Sequence, residues 1–321
     1  MYRWAAFLGL LGLAAATAVI VWSGWGLVLQ ALAQAGWGIV WVAAFHIVPL
    51  VASTYGWLIL IPGKKRPTLS MFTYYMWVRT AINLLMPVAR VGGEIACVRM
   101  MIAHGMRKNV AIAITVVEVT LSIAAIFLFV AIGILLFALR VSDKDIVTQL
   151  AWGFVLSTPL LGAMVLVQRI GFFGLLLRLF RAVFRDKWGH LAGDAARLDR
   201  AVTVIYRRTG RAVVCTIWQF AAWALGSVEI WMALVFLGHP LSWTEAIMIE
   251  SLIQGSASIA FAVPGALGVQ EAGFLVFGGM LGLPHETAAA LALIRRGRDL
   301  LFFAPALVFW QLHEGKRLLK K

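Results

Sequence analysis

Two short stretches place charged residues beside proline and glycine in a chain that is otherwise strongly apolar. The first, PVARVGGE, runs from Pro87 to Glu94, and the second, PGALGVQE, runs from Pro264 to Glu271. In both stretches the glutamate lies seven residues after the proline. A carboxylate in such surroundings can pair with a cation, hold a proton or contact the polar head of a ligand. The shared spacing indicates one structural device that is used twice.

Proline and glycine predict that a helix is interrupted inside each stretch. Proline lacks a backbone donor and ends a helix, whereas glycine allows turns and close approach of the backbone. Non-helical backbone is not tolerated against lipid, so each break must lie inside protein or beside a wet cavity. The residues assigned to the breaks are Pro87, Gly92, Gly93, Pro264, Gly265 and Gly268.

Charged and amide side chains near the breaks are the candidate binding residues, because charges at membrane depth are costly and usually functional. Arg79 and Asn83 are spaced by four and share one face of the helix that leads into the first break. Glu250 and Gln254 share a face in the same way before the second break. The predicted cavity residues are Arg79, Asn83, Arg90, Glu94, Arg99, Glu118, Glu229, Gln254, Glu271 and Arg295.

A second repeated spacing relates the two halves of the chain. Glu118 lies 24 residues after Glu94, and Arg295 lies 24 residues after Glu271. If a pseudo-twofold axis relates the halves, Glu118 and Arg295 take equivalent places with opposite charge. A structural alternative is that these charges only pair with one another and hold the broken segments in place. Buried ion pairs gain little over apolar packing, so we favour a polar cavity that suits an amphiphile.

The composition places the chain among membrane proteins. Of its 321 residues 62% are hydrophobic and only 13% are charged, which leaves too little polar surface for a soluble domain. The formal charge of +14 is assigned to cytoplasmic loops beside anionic lipid, and nucleic acid is not expected as a partner. Cys97, Cys215 and the scattered histidines predict neither a disulfide nor a metal site, and no cofactor is expected.

The lengths of the apolar runs predict an all-α polytopic membrane protein with six transmembrane helices and two re-entrant helical hairpins. The 11 residues from 25 to 35 are too short for a span and are predicted to lie along the outer interface. The first 22 residues resemble a signal peptide, but we favour an uncleaved first span. The predicted spans are 4–23, 37–61, 110–139, 148–168, 212–237 and 286–312, and the predicted hairpins are 70–104 and 243–282.

The distribution of basic residues predicts the orientation. When both hairpins leave on the side from which they enter, most of the 28 Lys and Arg residues fall in cytoplasmic segments. Both termini are then cytoplasmic, and the two hairpins enter from opposite faces, as in an inverted repeat. The whole chain, 1–321, is one integral membrane domain with repeat halves 37–139 and 212–312. The basic segment 169–211 between them is predicted to be a cytoplasmic interfacial helix that anchors the protein.

The two motifs resemble those of the flippase-like family that includes the transmembrane region of lysylphosphatidylglycerol synthase. The first motif is N-x-x-x-P-x-x-x-x-G-G-E, formed here by Asn83, Pro87, Gly92, Gly93 and Glu94. The second motif is P-G-x-x-G-x-x-E, formed here by Pro264, Gly265, Gly268 and Glu271. The resemblance covers nearly the whole chain.

The resemblance implies movement of lipids between leaflets. Single-domain members of this family include the hopanoid-biosynthesis-associated membrane proteins, so a hopanoid or another polar-headed lipid is the expected cargo. The expected setting is a bacterial inner membrane, with lipid-synthesis or envelope-transport proteins as partners. The bifunctional synthases of the family add a soluble aminoacyl-transfer domain, and we do not expect that reaction here.

We therefore expect a lipid transporter or flippase, and not an enzyme. The sequence has no G-x-x-x-x-G-K-[ST] motif, so an ion gradient, downstream consumption or downhill movement is expected to supply the driving force. One alternative is a phosphatase or transferase in the membrane, in which arginines clamp phosphate and a glutamate acts as base. Another is a scaffold for lipid-synthesis enzymes, which explains 169–211 but not the duplicated breaks.

Overall fold

The protein is all-helical in the part that the computed structural model describes, which comprises residues 33, 35–62, 66–86, 92–141, 144–170, 191–259, 263 and 266–318. No strand occurs in these ranges, which confirms the all-α prediction. The helices are α1 Gly38–Phe45, α2 Ile47–Leu60, α3 Leu69–Leu85, α4 Gly92–Ala103, α5 Lys108–Arg140, α6 Lys144–Ile170, α7 Leu191–Tyr206, α8 Thr209–Phe236, α9 Trp243–Ile259, α10 Val269–Met280 and α11 His285–Leu318.

Three stretches of the described chain are long and apolar enough to cross a membrane. They are Gly38–Leu60, which combines α1 and α2, Lys108–Arg140 and Thr209–Phe236. They coincide with three of the predicted spans and identify a membrane protein.

The other predicted segments have different outcomes. Segments 148–168 and 286–312 form parts of α6 and α11, and their crossing of the membrane stays a prediction. The predicted span 4–23 lies outside the described residues. The predicted interfacial segment 169–211 is described only in part, where it forms the end of α6, α7 and the start of α8.

Two helix pairs occupy the segments where hairpins were predicted. The first pair is α3 and α4, and the second is α9 and α10. In the first pair the ring of Tyr75 lies 5.4 Å from that of His104, while Asn83 contacts Gly93, so the two helices run antiparallel. Helix α3 ends two residues before Pro87, in agreement with the helix-ending role assigned to that proline.

Helices that are far apart in the sequence pack against one another. Helix α2 packs against α8. Helix α3 packs against α11, and α9 packs against α5. The first helix of each pair therefore lies against a long helix from a distant part of the chain.

Buried apolar side chains form two cores, one around each helix pair. The long helices contribute to both cores: α8 supplies Cys215 to the first and Ile230 to the second, and α11 supplies Phe303 to the first and Ile294 to the second. The charged and amide residues of these helices lie between such positions. Buried charged and amide side chains therefore lie among the apolar side chains of both cores.

Helices α5 and α9 approach most closely where Gly133 faces Ser251. A Cβ atom added at Gly133 would overlap the hydroxyl of Ser251, whose side chain is fully buried. The absence of a side chain at Gly133 thus allows an arm of one half to contact the long helix of the other.

We predict that Gly133→Ala lowers stability by about 1–3 kcal/mol, because the added methyl group overpacks the contact with Ser251. The measurement is the midpoint of thermal unfolding of the purified protein in detergent, followed by tryptophan fluorescence.

Gly153→Ala on α6 is the matched control, because no atom lies within 4 Å of a Cβ at that exposed glycine. The control should be neutral or slightly stabilising, since alanine favours a helix over glycine by about 1 kcal/mol. Equal midpoints for Gly133→Ala and the wild type would contradict the close approach of α5 and α9.

Candidate functional site

Arg79 on α3 lies between two carboxylates. Its Nη1 atom donates to Glu118 Oε2 on α5 at 2.7 Å, and its Nε atom pairs with Glu94 Oε2 on α4. The guanidinium carbon lies 4.7 Å from the centre of the Trp57 ring, a cation–π distance. Glu118 is only 1% exposed, so its charge depends on these partners. Arg79 therefore connects α3 and α4, the two helices of the first pair, to α5.

The first motif builds the start of α4. The side-chain oxygen of Asn83 accepts a hydrogen bond from the Gly93 backbone N–H at 2.8 Å, and its amide nitrogen donates to Glu94 Oε1 at 3.2 Å. A Cβ at Gly93 would collide with the backbone oxygen of Arg79 and with the Asn83 side chain. The antiparallel contact of α3 with α4 thus explains why the motif has Asn83, Gly93 and Glu94 at these positions.

Amide and hydroxyl groups connect this arginine cluster to the other half. Ser53 on α2 donates to Gln219 Oε1 on α8 at 2.7 Å, and Gln219 Nε2 donates to Glu118 Oε1 at 3.0 Å. Both carboxylate oxygens of Glu118 are therefore bound, one by each half. We call Arg79, Glu94 and Glu118, with Ser53, Asn83 and Gln219, the first ionic cluster.

The second helix pair carries a corresponding ion pair with the charges exchanged. Glu250 on α9 accepts from both terminal nitrogens of Arg295 on α11, each at 2.9 Å, and from Gln254 Nε2 at 2.7 Å. Two parallel bonds from one guanidinium to one carboxylate are a strong arrangement. In the first ion pair the arginine is on α3 and the glutamate on α5. In the second the glutamate is on α9 and the arginine on α11.

The glutamate of the second motif caps α10. Gly268 has a φ of 81°, a conformation that favours glycine, and its N–H donates to Glu271 Oε2 at 2.7 Å. The other oxygen of Glu271 accepts from Arg296 Nε at 2.6 Å. Glu271 therefore fixes the start of α10 and attaches it to α11, as Asn83 and Glu94 do for α4.

A further group of charges joins α8 and α11 to the junction of α1 and α2. Glu229 Oε1 lies 2.7 Å from His46 Nδ1, and Glu229 Oε2 lies 3.4 Å from Arg298 Nη1. Arg298 Nε is 3.3 Å from Asp299 Oδ1. We call these four residues, with Glu250, Gln254, Glu271, Arg295 and Arg296, the second ionic cluster.

A small cavity lies beside the second ionic cluster. Its charged lining consists of Glu229, Arg295 and Arg298, with apolar side chains around them, and it has room for about one water molecule. Both arginines of this lining are paired with carboxylates in the observed conformation, Arg295 with Glu250 and Arg298 with Glu229. Among the described residues no group of three His, Cys, Asp or Glu side chains is placed to hold a metal ion.

The structure distributes the predicted cavity residues between the two clusters. Arg99 is exposed on α4 outside both clusters, and Arg90 lies outside the described residues, as do Pro87, Pro264 and Gly265. The first cluster contains Arg79, Asn83, Glu94 and Glu118, and the second contains Glu229, Gln254, Glu271 and Arg295. The sequence analysis did not assign to a site Ser53, Gln219, His46, Glu250, Arg296, Arg298 or Asp299.

Comparison with known proteins places this architecture in a family. No curated protein and no solved structure gave a match. The model of the family described as lysylphosphatidylglycerol synthase TM region matches residues 9–306, which is most of the chain. This match confirms the resemblance noted in the two motifs. The chain belongs to the family of the lysylphosphatidylglycerol synthase TM region.

Proposed function

We propose that the protein is a lipid transporter that moves an amphiphilic lipid, a hopanoid or another polar-headed lipid, between leaflets or out of a bacterial inner membrane. The observation that carries this proposal is that two ionic clusters, each buried within an apolar core, hold the two helix pairs against long helices. A lipid head requires polar partners at depth, and its tail requires apolar surroundings. Family membership supports a role in lipid biology.

The proposed architecture is an inverted repeat with two re-entrant hairpins, formed by α3–α4 and α9–α10. The matching contacts of the two halves and the exchanged charges of the two arm-to-helix pairs support it. Broken helices that meet inside a repeat are a common way to build transport sites near the membrane midplane. We place both termini in the cytoplasm, where basic segments are favoured.

In the proposed mechanism the lipid head competes with carboxylates for the arginines. Arg79 and Arg295 are held by acids on neighbouring helices in the observed conformation. A head group with phosphate or hydroxyl oxygens offers hydrogen-bond acceptors to these arginines, and a phosphate also supplies the opposite charge. The released carboxylate frees an arm from its long helix, and the two halves then rock about the α2–α8 contact to expose the site on the other side.

We favour transport over lipid-modifying chemistry because the buried acids are engaged by cations and amide groups. Glu118 and Glu250 each accept hydrogen bonds from an arginine and a glutamine. We favour it over a scaffold role because a scaffold leaves two buried ionic clusters without a use. Lipid-synthesis or envelope-transport proteins are the proposed partners.

We predict that one lipid class copurifies with the wild type and is lost from the Glu94→Gln, Glu271→Gln double variant, because both changes weaken the contacts around the proposed head-group site. The measurement is mass spectrometry of lipids bound to gently purified protein.

The matched control is Glu245→Gln, Glu286→Gln. All four glutamates lie in the first turn of a helix, but the control pair lies outside both clusters. The control should retain the bound lipid. The same bulk lipid mixture in all three proteins would contradict the proposed site, and conversion of a lipid head by the purified protein would favour an enzyme.

We also predict that the Glu250–Arg295 pair is dispensable for folding and required for transport. Arg295→Leu alone should cost about 3–5 kcal/mol, because it leaves a carboxylate buried without its cation. The Glu250→Leu, Arg295→Leu double variant should recover most of that stability and show no transport. The measurements are thermal unfolding and movement of a fluorescent lipid analogue between leaflets of reconstituted vesicles. A stable double variant with wild-type transport would show that the pair is not required for transport.

A further inference from the structure

His46 lies within hydrogen-bonding distance of one group that only accepts and one that only donates. Its Nδ1 atom is 2.7 Å from Glu229 Oε1. Arg298 Nη1 is 2.6 Å from Nδ1 and 3.1 Å from Nε2 of the same ring. A carboxylate accepts and a guanidinium donates, so the number of protons on the ring decides which contacts are satisfied.

A neutral ring keeps one donor and one acceptor for its two partners. With its proton on Nδ1 it donates to Glu229, and Nε2 keeps the lone pair that accepts from Arg298, whose Nη1 atom lies beside both ring nitrogens. An imidazolium has a proton on each nitrogen and no acceptor. Protonation of His46 therefore strengthens its pairing with Glu229 and turns its contact with Arg298 into repulsion between two cations.

Charged groups of both signs surround the ring. Glu229 faces the ring from α8, and Arg298 and Asp299 approach it from α11. Arg295, which also lines the cavity beside Glu229, is held by Glu250. Among the described residues of the second ionic cluster the acids Glu229, Glu250, Glu271 and Asp299 face the cations Arg295, Arg296 and Arg298. The acids exceed the cations by one, and a proton on His46 balances them.

His46 is the least buried side chain of this contact. Its side chain is 17% exposed, whereas those of Glu229 and Arg298 are 3% and 4% exposed. Phe302 and Phe303 pack edge-on against the ring, at centroid distances of 5.0 and 5.3 Å, and hold it beside α11. The ring therefore lies at the edge of the second ionic cluster, with its position fixed against α11.

We propose that His46 is the coupling-proton site of the protein. Uptake of one proton by the ring repels Arg298 from His46, while Arg298 stays paired with Glu229 and Asp299. The repulsion separates α11 from the junction of α1 and α2. Release of the proton restores the contact. This proposal rests on the proposed transport function for its use, but the proton site itself can be tested without transport.

The first test is a pH titration of the protein with ¹⁵N-labelled histidine, observed by NMR in lipid nanodiscs. We expect the His46 signal to change from neutral ring to imidazolium as the pH is lowered. That signal should be absent in His46→Gln and present in His239→Gln, an exposed control outside the cluster. A His46 signal that stays constant over the whole range would overturn the proposal.

The second test measures the response of lipid movement to a pH gradient in reconstituted vesicles. For one proton per lipid, a gradient of about one pH unit shifts the leaflet distribution of a fluorescent lipid analogue by up to about tenfold. Glutamine donates and accepts at the same time without titrating, so His46→Gln should lose this response whatever its basal rate, while His239→Gln should retain it.

The outcomes separate the two proposals. A full gradient response in His46→Gln, or none in the wild type with lipid movement present, would overturn the coupling role. A wild type that moves no lipid would contradict the proposed function, and the NMR titration would then decide the proton site alone.

Discussion

A charge buried among apolar helices must be paired, and the arrangement of this protein depends on that requirement. Removing an ion from water costs several kcal/mol, and only a close partner with good geometry repays it. Arg79 and Arg295 meet the requirement with carboxylates on adjacent helices, at 2.7 and 2.9 Å. Because those partners lie on different elements, the pairs connect each helix pair to a neighbouring long helix.

The two motifs have a local role that precedes any function. Asn83, Gly93 and Glu94 close the start of α4 against α3, and Gly268 with Glu271 closes the start of α10 against α11. A helix N-terminus carries partial positive charge and unsatisfied N–H groups, so an acid or amide at that point is stabilising. The same groups lie beside the arginines that we propose for the lipid head. The residues that close the starts of α4 and α10 therefore also belong to the proposed lipid-head site. A conformational change at a helix start alters that site.

The helical class could be predicted from the sequence because long apolar runs predict membrane helices, and the charged residues could be singled out because a glutamate or arginine stands out within an apolar run. Their role in a binding site stays a prediction. The sequence did not allow the pairing to be predicted. His46 is one of six histidines and its partner Glu229 is 183 positions away, so no local pattern marks it. Arg99 was assigned to the cavity by its proximity to the break. It lies five residues after Glu94, about 140° around the helix, and therefore on another face.

The exchanged charges of the two halves also have an electrical consequence. Arg79 lies on the first arm of one helix pair and Glu250 on the first arm of the other. Charges that move across a membrane couple to its voltage in proportion to the distance travelled. If both arms shift toward the same face, their contributions cancel and the step is insensitive to membrane potential. If they shift in opposite directions, the contributions add, and the potential favours one orientation of the protein over the other.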